Sequence, residues 1–253
     1  MSAQTAGHPS LWPPRVSPHF GDYSIRDLAA KFLIQLDDFA EIERYRQANA
    51  SETSRDDGRP TVVLMGDSIT DFWPQEALSR SRGVRLINRG VAGQNSSVML
   101  LRFQADVIEL APSAVVILAG SNDLRAYVGD PDAITVGAVE RLARNLSAMA
   151  DMAAGRGISI ALATLPPVSG DLVSVARSPA AIRTANARIT RIAVDRGYPL
   201  VDYHAALAGP DGLMPVDRSD DGIHPNACGY ARMTPALFDA IEALAVSTQD
   251  LSP

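Results

Sequence analysis

A serine, two small-residue turns and an Asp-x-x-His stand out in this chain as groups whose types could do acyl chemistry together. Ser68 sits in "MGDSIT", at the end of an apolar run. A serine hydroxyl is a poor nucleophile until a base takes its proton. His224 is the candidate base, and Asp221, three residues earlier in "DDGIH", can turn back to hold the other ring nitrogen. Asp220 is the competing acid, but the three-residue spacing favours Asp221. Acyl transfer also needs donors aimed at a developing oxyanion. The Ser68 backbone N–H is one, the Gly93 N–H in "NRGVAGQNSS" a second, and the Asn122 amide in "GSNDL" a third. Gly90 is as good a turn glycine as Gly93 on these grounds alone.

Such groups must be delivered to one place, and the apolar pattern says how. Runs at 61–65, 84–88, 114–119, 158–165 and 199–203 alternate with helical periodicity. The clearest helix carries Val139, Leu142, Leu146, Met149 and Ala153; others span 180–196 and about 227–246. Five apolar runs separated by helices argue for an α/β fold with a parallel sheet covered on both faces. Ligands in such folds bind beyond the carboxyl ends of the strands. Gly66–Ser68, Asn88–Asn95, Gly120–Asp123 and the loop from Pro166 to Pro179 follow the first four runs, and 219–230 lies downstream of the fifth. All converge on one rim, and Gly66 permits a tight turn before Ser68.

The four blocks "GDSI", "NRGVAG", "GSND" and "DGIH", in that order, resemble those of the SGNH/GDSL hydrolase superfamily over roughly 60–235. "NRGVAGQ" is further similar to the branch of platelet-activating-factor acetylhydrolases and the bacterial esterases near it. Ile69 replaces the leucine of GDSL, and Ser121 stands where threonine is common. The resemblance implies a flavodoxin-like three-layer αβα sandwich with a five-stranded parallel sheet. It implies Ser68 as nucleophile, Asp221 and His224 as the rest of a triad, and Ser68, Gly93 and Asn122 as the oxyanion hole, which selects Gly93 over Gly90. It also implies a serine esterase acting on short-chain, above all acetyl, esters through an acyl-enzyme. An acyltransferase or carbohydrate deacetylase would use the same residues, and an inactive binding module is a remote third reading.

Other residues receive blander expectations. Asp67 reads as a structural carboxylate on nearby backbone N–H groups, and Asp123 as a helix cap. His204 reads as a structural histidine, Phe72 and Trp73, which could touch substrate, as a helix face packed in the core, and Cys228 as a small buried residue. The loop from Pro166 to Pro179 and the segment 123–130 are expected to line the substrate groove.

The remaining bounds are compositional. The chain has 253 residues, a net charge of -6 and a single cysteine. Acidity disfavours nucleic acid as a partner, since such affinity is built on Lys and Arg. One cysteine excludes an intrachain disulfide and a cysteine-rich zinc site. Asp67, Asp123 and His224 could form an oxygen–nitrogen cluster, but no HExxH-type spacing exists. No G-x-S-x-G elbow marks an α/β-hydrolase. The expectation is therefore no cofactor and no metal, with a small-molecule ester as substrate, no membrane insertion, and a homo-oligomer left open. No signal peptide is read at the N-terminus, so the expected location is cytoplasmic, or secreted if a signal was trimmed. The first 23 residues carry four of the 17 prolines. They read as an arm, followed by a helix from Ser24 to about Ala50 with Leu28, Phe32, Leu36, Phe39 and Ile42 on one face. Residues 1–59 are expected to pack on a single hydrolase domain, 60–253.

Overall fold

The computed structural model of the chain describes residues 26, 33, 36–53, 55, 57–79, 83–125, 131–170 and 177–249. In chain order the elements are α1 (Arg46–Thr53), β1 (Thr61–Gly66), α2 (Ser68–Asp71), α3 (Gln75–Leu78), β2 (Arg85–Gly90), α4 (Ser96–Asp106), β3 (Ala114–Leu118), α5 (Pro131–Ala154), β4 (Ser159–Ala163), α6 (Pro179–Arg196), β5 (Leu200–Val201), α7 (Tyr203–Leu207) and α8 (Ala227–Gln249). The five strands are all parallel, in the order β2-β1-β3-β4-β5. This is the doubly wound order with its switch point between β1 and β3.

The unbroken apolar runs are explained by burial on both faces of the sheet. Every residue of β3 is buried, as are Val62–Gly66 of β1. Helices α4, α5 and α6 pack side by side on one face; α2 and α8 cover the other, with α7 against α8. Right-handed crossovers require this division. The helix ends follow from local chemistry. Asn95 accepts the N–H groups of Ser97 and Val98 ahead of α4, and Ser178 accepts that of Ala181, with Pro179 opening α6.

Two sequence expectations are corrected here. The single helix to Ala50 is interrupted, because the Asp38 carboxylate takes the N–H groups of Ile42 and Glu43 at 2.9 and 2.8 Å. Glu41 then adopts φ 55° before a 3₁₀ turn, Ile42–Tyr45, leads into α1. The break rotates the stripe: Phe39 is 63% exposed, while Ala40 and Tyr45 are buried. Residues 1–25 of the arm and most of 27–35 lie outside the described residues. The fifth run is also shorter than expected. Asp202 accepts the N–H of Ala205 and starts α7, so 203 is helical and β5 keeps two residues.

Residues 40–49 reach the rim of the sheet. Arg44 Nη2 donates to both oxygens of Asp71, at 2.9 and 2.7 Å. The Tyr45 hydroxyl donates to the Gly90 carbonyl, and the Gln94 amide donates to that of Ala40. No helix among the described residues is long and apolar enough to cross a membrane.

Candidate active site

Ser68 begins α2 immediately beyond β1, so its N–H lies in the first helical turn and has no intrahelical acceptor. The turn is tight for a reason other than φ. A Cβ on Gly66 would lie 2.0 Å from Thr70 Oγ1, so only glycine lets α2 fold back onto the strand. Asp67 caps the helix by accepting the Ile69 N–H at 3.0 Å, as expected.

His224 bridges the sheet rim and the loop before α8. Its Nε2 is 2.8 Å from Ser68 Oγ, and its Nδ1 is 2.5 Å from Asp221 Oδ2. The other Asp221 oxygen, Oδ1, accepts the backbone N–H groups of Ile223 and His224 at 2.9 and 2.8 Å. Partial burial pushes the Asp221 carboxyl up, but the bonds from the His224 ring and these two N–H groups outweigh it and hold the acid well below the usual carboxylate range. Asp220 instead accepts the Asn226 amide at 3.0 Å.

Gly93 has φ 84°, the left-handed region that favours glycine. Its neighbour Gln94 presents a carbonyl to the Asn122 amide, Nδ2 to O 3.0 Å, which draws the β2 and β3 rim loops together. The Gln94 side chain is itself held by Arg102, which is fully buried and pairs with Asp106 at 2.8 Å. All five residues singled out from sequence thus converge on one rim: Ser68, His224 and Asp221 in one hydrogen-bonded line, Gly93 and Asn122 through Gln94. This arrangement can move a proton from a hydroxyl to an imidazole.

The surroundings differ from expectation at several points. Trp73 is buried, between the rings of Tyr203 and Tyr230. Phe72 is half-buried, packed against the core, and sets its ring edge-on to His224, centroids 5.3 Å apart, so it also walls the site. Among the described residues Asp123 caps no helix that follows it; buried at the end of β3, it accepts the Ser96 N–H and hydroxyl and so fixes the start of α4. Cys228 is exposed in the first turn of α8, where Asn226 accepts its N–H, and is not buried. His204 is half-buried and burial lowers its pKa, in keeping with a structural residue. A cleft of about 550 Å³ opens beside His224, lined by Phe72, Gln75, Glu76, Asp220 and Asn226 among others, with Ser68 outside its walls. Residues 126–130 and 171–176, expected to line the groove, lie outside the described residues. The described residues contain no cluster of three or more His, Cys, Asp or Glu that could hold a metal ion.

Asp67 carries an unexpected feature. It is fully buried, and its Oδ2 has no hydrogen-bond partner among the described residues. Burial pushes its pKa up to about 6, against the lowering effects of the Ile69 N–H, His224 and Arg177. Folding therefore favours the protonated acid. That contribution is whole below about 3.9, the ordinary aspartate value, and is lost as pH rises through about 6. Asp67→Asn should consequently gain melting temperature relative to the natural chain between pH 4.5 and pH 8. Its advantage should be on the order of 3 kcal/mol at the alkaline end, since each tenfold change in a protonation equilibrium is about 1.4 kcal/mol. A difference between the two proteins that stays flat across that range would contradict this account of Asp67.

The strand order and the rim it carries are those of the SGNH-type hydrolase fold. The chain belongs to the GDSL-like lipase/acylhydrolase family, whose profile matches residues 64–232, and it is a carboxylic ester hydrolase. A Bacteroides fragilis protein described as an acylhydrolase is 32% identical, with 82% of this chain and 99% of that one aligned at a TM-score of 0.70. A GDSL-like lipase of Bacteroides thetaiotaomicron is 30% identical over 81% of this chain and 99% of its own, at 0.69. An acetylxylan esterase of Geobacillus stearothermophilus shares the fold at 21% identity, covering 72% of this chain and 94% of its own, at 0.58. None of the curated proteins matches the chain significantly.

Of the residues near the rim, sequence reasoning passes over Arg177 and does not divide Phe72 from Trp73. Phe72 and Trp73 read there as one apolar pair, and nothing in the pair tells which ring faces out. Arg177 lies in the loop after β4; its only signal is a lone cation just before the Ser-Pro start of a helix.

Proposed function

We propose that this enzyme hydrolyses short-chain acyl esters, acetyl esters foremost, through an acyl-enzyme on Ser68. The observation that carries the reading is the His224 ring, within hydrogen-bond distance of the Ser68 hydroxyl on one nitrogen and the Asp221 carboxylate on the other. Ser68 Oγ attacks the ester carbonyl as its proton passes to His224 Nε2. The Ser68 and Gly93 N–H groups and the Asn122 amide receive the oxyanion. His224 then returns the proton to the departing alcohol, and water repeats the sequence in reverse to release the acid. Asp221 stays ionised and steadies the imidazolium.

Asn122→Ala should fold and bind ester but lower kcat by about 10²–10³, the usual cost of one oxyanion donor. Stopped-time assays on a p-nitrophenyl ester check it, and full activity in the folded variant would remove Asn122 from this role. On chain length, acetyl to hexanoyl p-nitrophenyl esters should outpace the dodecanoyl ester by at least about tenfold. The support is the charge in the cleft wall, where Glu76 and Asp220 stand beside the apolar Phe72, Pro74 and Ala227 and would be desolvated by a long alkyl chain. A rate climbing to twelve carbons would point to a lipase.

A carbohydrate deacetylase is the second reading. The cleft combines the aromatic residues Phe72, Trp73 and Tyr230 with carboxylate and amide groups of Gln75, Glu76, Asp220 and Asn226, a lining suited to hydroxyl-rich alcohols. Acetylated xylo-oligosaccharides run beside the p-nitrophenyl series separate the two: a higher kcat/KM on the sugars favours deacetylation.

A further inference from the structure

The Asn122 amide is held at both ends. Its Nδ2 donates to the Gln94 carbonyl at 3.0 Å, and its Oδ1 accepts from Arg177 Nη2 at 2.7 Å. The same guanidinium donates through Nε to the Ser121 carbonyl at 2.7 Å. Arg177 is 8% exposed and comes from the loop between β4 and α6, outside all four sequence blocks. We infer that Arg177 is a positioning residue for the reaction, setting and polarising the Asn122 amide as an oxyanion donor. The inference rests on the role proposed above for Asn122.

The geometry leaves the amide one orientation. Guanidinium only donates, so the group facing Arg177 must be the amide oxygen. The Gln94 carbonyl only accepts, so the group facing it must be the NH₂. Of the two Nδ2–H bonds, one is taken by Gln94. The other is left for a reacting oxygen. A cation on the carbonyl end also draws electron density from the nitrogen, which strengthens that remaining donor. The fork bonds two successive residues, Ser121 and Asn122, so it fixes the turn at the end of β3 together with the side chain. Ser178 follows directly as the cap of α6, with Ala181 N to Ser178 Oγ at 3.0 Å, which anchors the arginine's backbone to a helix start. A loop staple without a catalytic consequence would need none of this directed at Asn122.

A double-mutant cycle on kcat with a p-nitrophenyl acetate assay tests the inference. Variants Arg177→Met, Arg177→Lys and Asn122→Ala, and each Arg177 change combined with Asn122→Ala, are compared after thermal unfolding shows them folded. Intact sites are counted by fluorophosphonate titration. In the natural background Arg177→Met should lower kcat about 10- to 100-fold, the scale of a catalytic group displaced by about 1 Å, with KM nearly unchanged. Arg177→Lys, with its charge and a single donor group, should recover part of the loss. In the Asn122→Ala background either change should cost less than about threefold, because residues in one network couple. If Arg177→Met does not fold, Arg177→Lys alone carries the test: its smaller loss must vanish when Asn122 is gone. Equal losses in both backgrounds would overturn the inference while leaving Asn122 as a donor. Full activity in Asn122→Ala itself would bring down the role of Asn122, and the inference with it.

Discussion

Ser68→Ala is expected to lower kcat on a p-nitrophenyl acyl ester by about 10⁵–10⁶, with His224→Ala close behind, the scale seen when a serine nucleophile or its base is removed. The expectation follows from the 2.8 Å separation of Ser68 Oγ and His224 Nε2. Without the hydroxyl there is no acyl acceptor; without the ring there is nothing to take its proton. The two losses should not add, because each variant already lacks the whole proton-transfer unit. Residual activity should come from the oxyanion donors and substrate binding. Neither variant should lose much stability. Ser68 Oγ bonds only within the site, and the helix it begins is capped by Asp67. A folded Ser68→Ala protein with more than about 1% of the natural rate would show that another group carries the chemistry.

Asp221→Asn should be the next most damaging change, costing about 10³ in kcat, somewhat less than the 10⁴ seen for the same exchange in a triad on another fold. The structure gives the reason for a large effect. One Asp221 oxygen takes the His224 Nδ1 proton and the other takes two backbone N–H groups. An asparagine has one oxygen for both tasks. If that oxygen keeps the backbone bonds, its NH₂ faces Nδ1 and forces the proton onto Nε2, where it cannot receive another from Ser68. The backbone bonds and the Phe72 ring still hold the loop, which limits the loss. Asp220→Asn should stay within about twofold of the natural enzyme, since its carboxylate serves only Asn226 among the bonds described. The pH dependence carries a second check. Because Asp221 is held well below the usual carboxylate range, it stays ionised through mild acid. Its contribution to stability is present above about 3.9, the ordinary aspartate value, and is lost only as pH falls below that. An acidic limb of the rate profile above pH 5 therefore does not report this carboxyl. If Asp220→Asn abolished activity and Asp221→Asn did not, the acid would be the other neighbour.

Much of this site is readable before any fold is known, because its groups sit at the ends of apolar runs. Burial on both faces makes β1, β3 and β4 continuous in hydrophobicity, and a strand that long must end at a rim. Ser68, Asn122 and the glycine turn follow directly. Asp221 over Asp220 also follows, because three residues is one turn of chain. What was not readable depends on groups distant in sequence. Phe72 and Trp73 are adjacent, and only the placement of α8, with Tyr230, decides that Trp73 goes inward and Phe72 faces His224. Asp123 looks like a cap for the residues after it, yet it serves α4, whose start lies 27 residues earlier. The helix expected through Asp38 has the right apolar spacing, but a carboxylate that can bond its own chain competes with the helix, and spacing does not register that competition. Arg177 is the sharpest case. Its role exists only because the loop after β4 passes the end of β3.

The account's central claim is that Ser68 becomes acylated, and one measurement addresses it without any substitution. The enzyme is treated with a fluorophosphonate until activity is gone, then digested and its peptides weighed. The account predicts one phosphonyl group per chain, on Ser68, with inactivation and labelling advancing together and both slowed by a competing short-chain ester. Complete inactivation with the label on any other residue, and the Ser68 peptide at its natural mass, would contradict it.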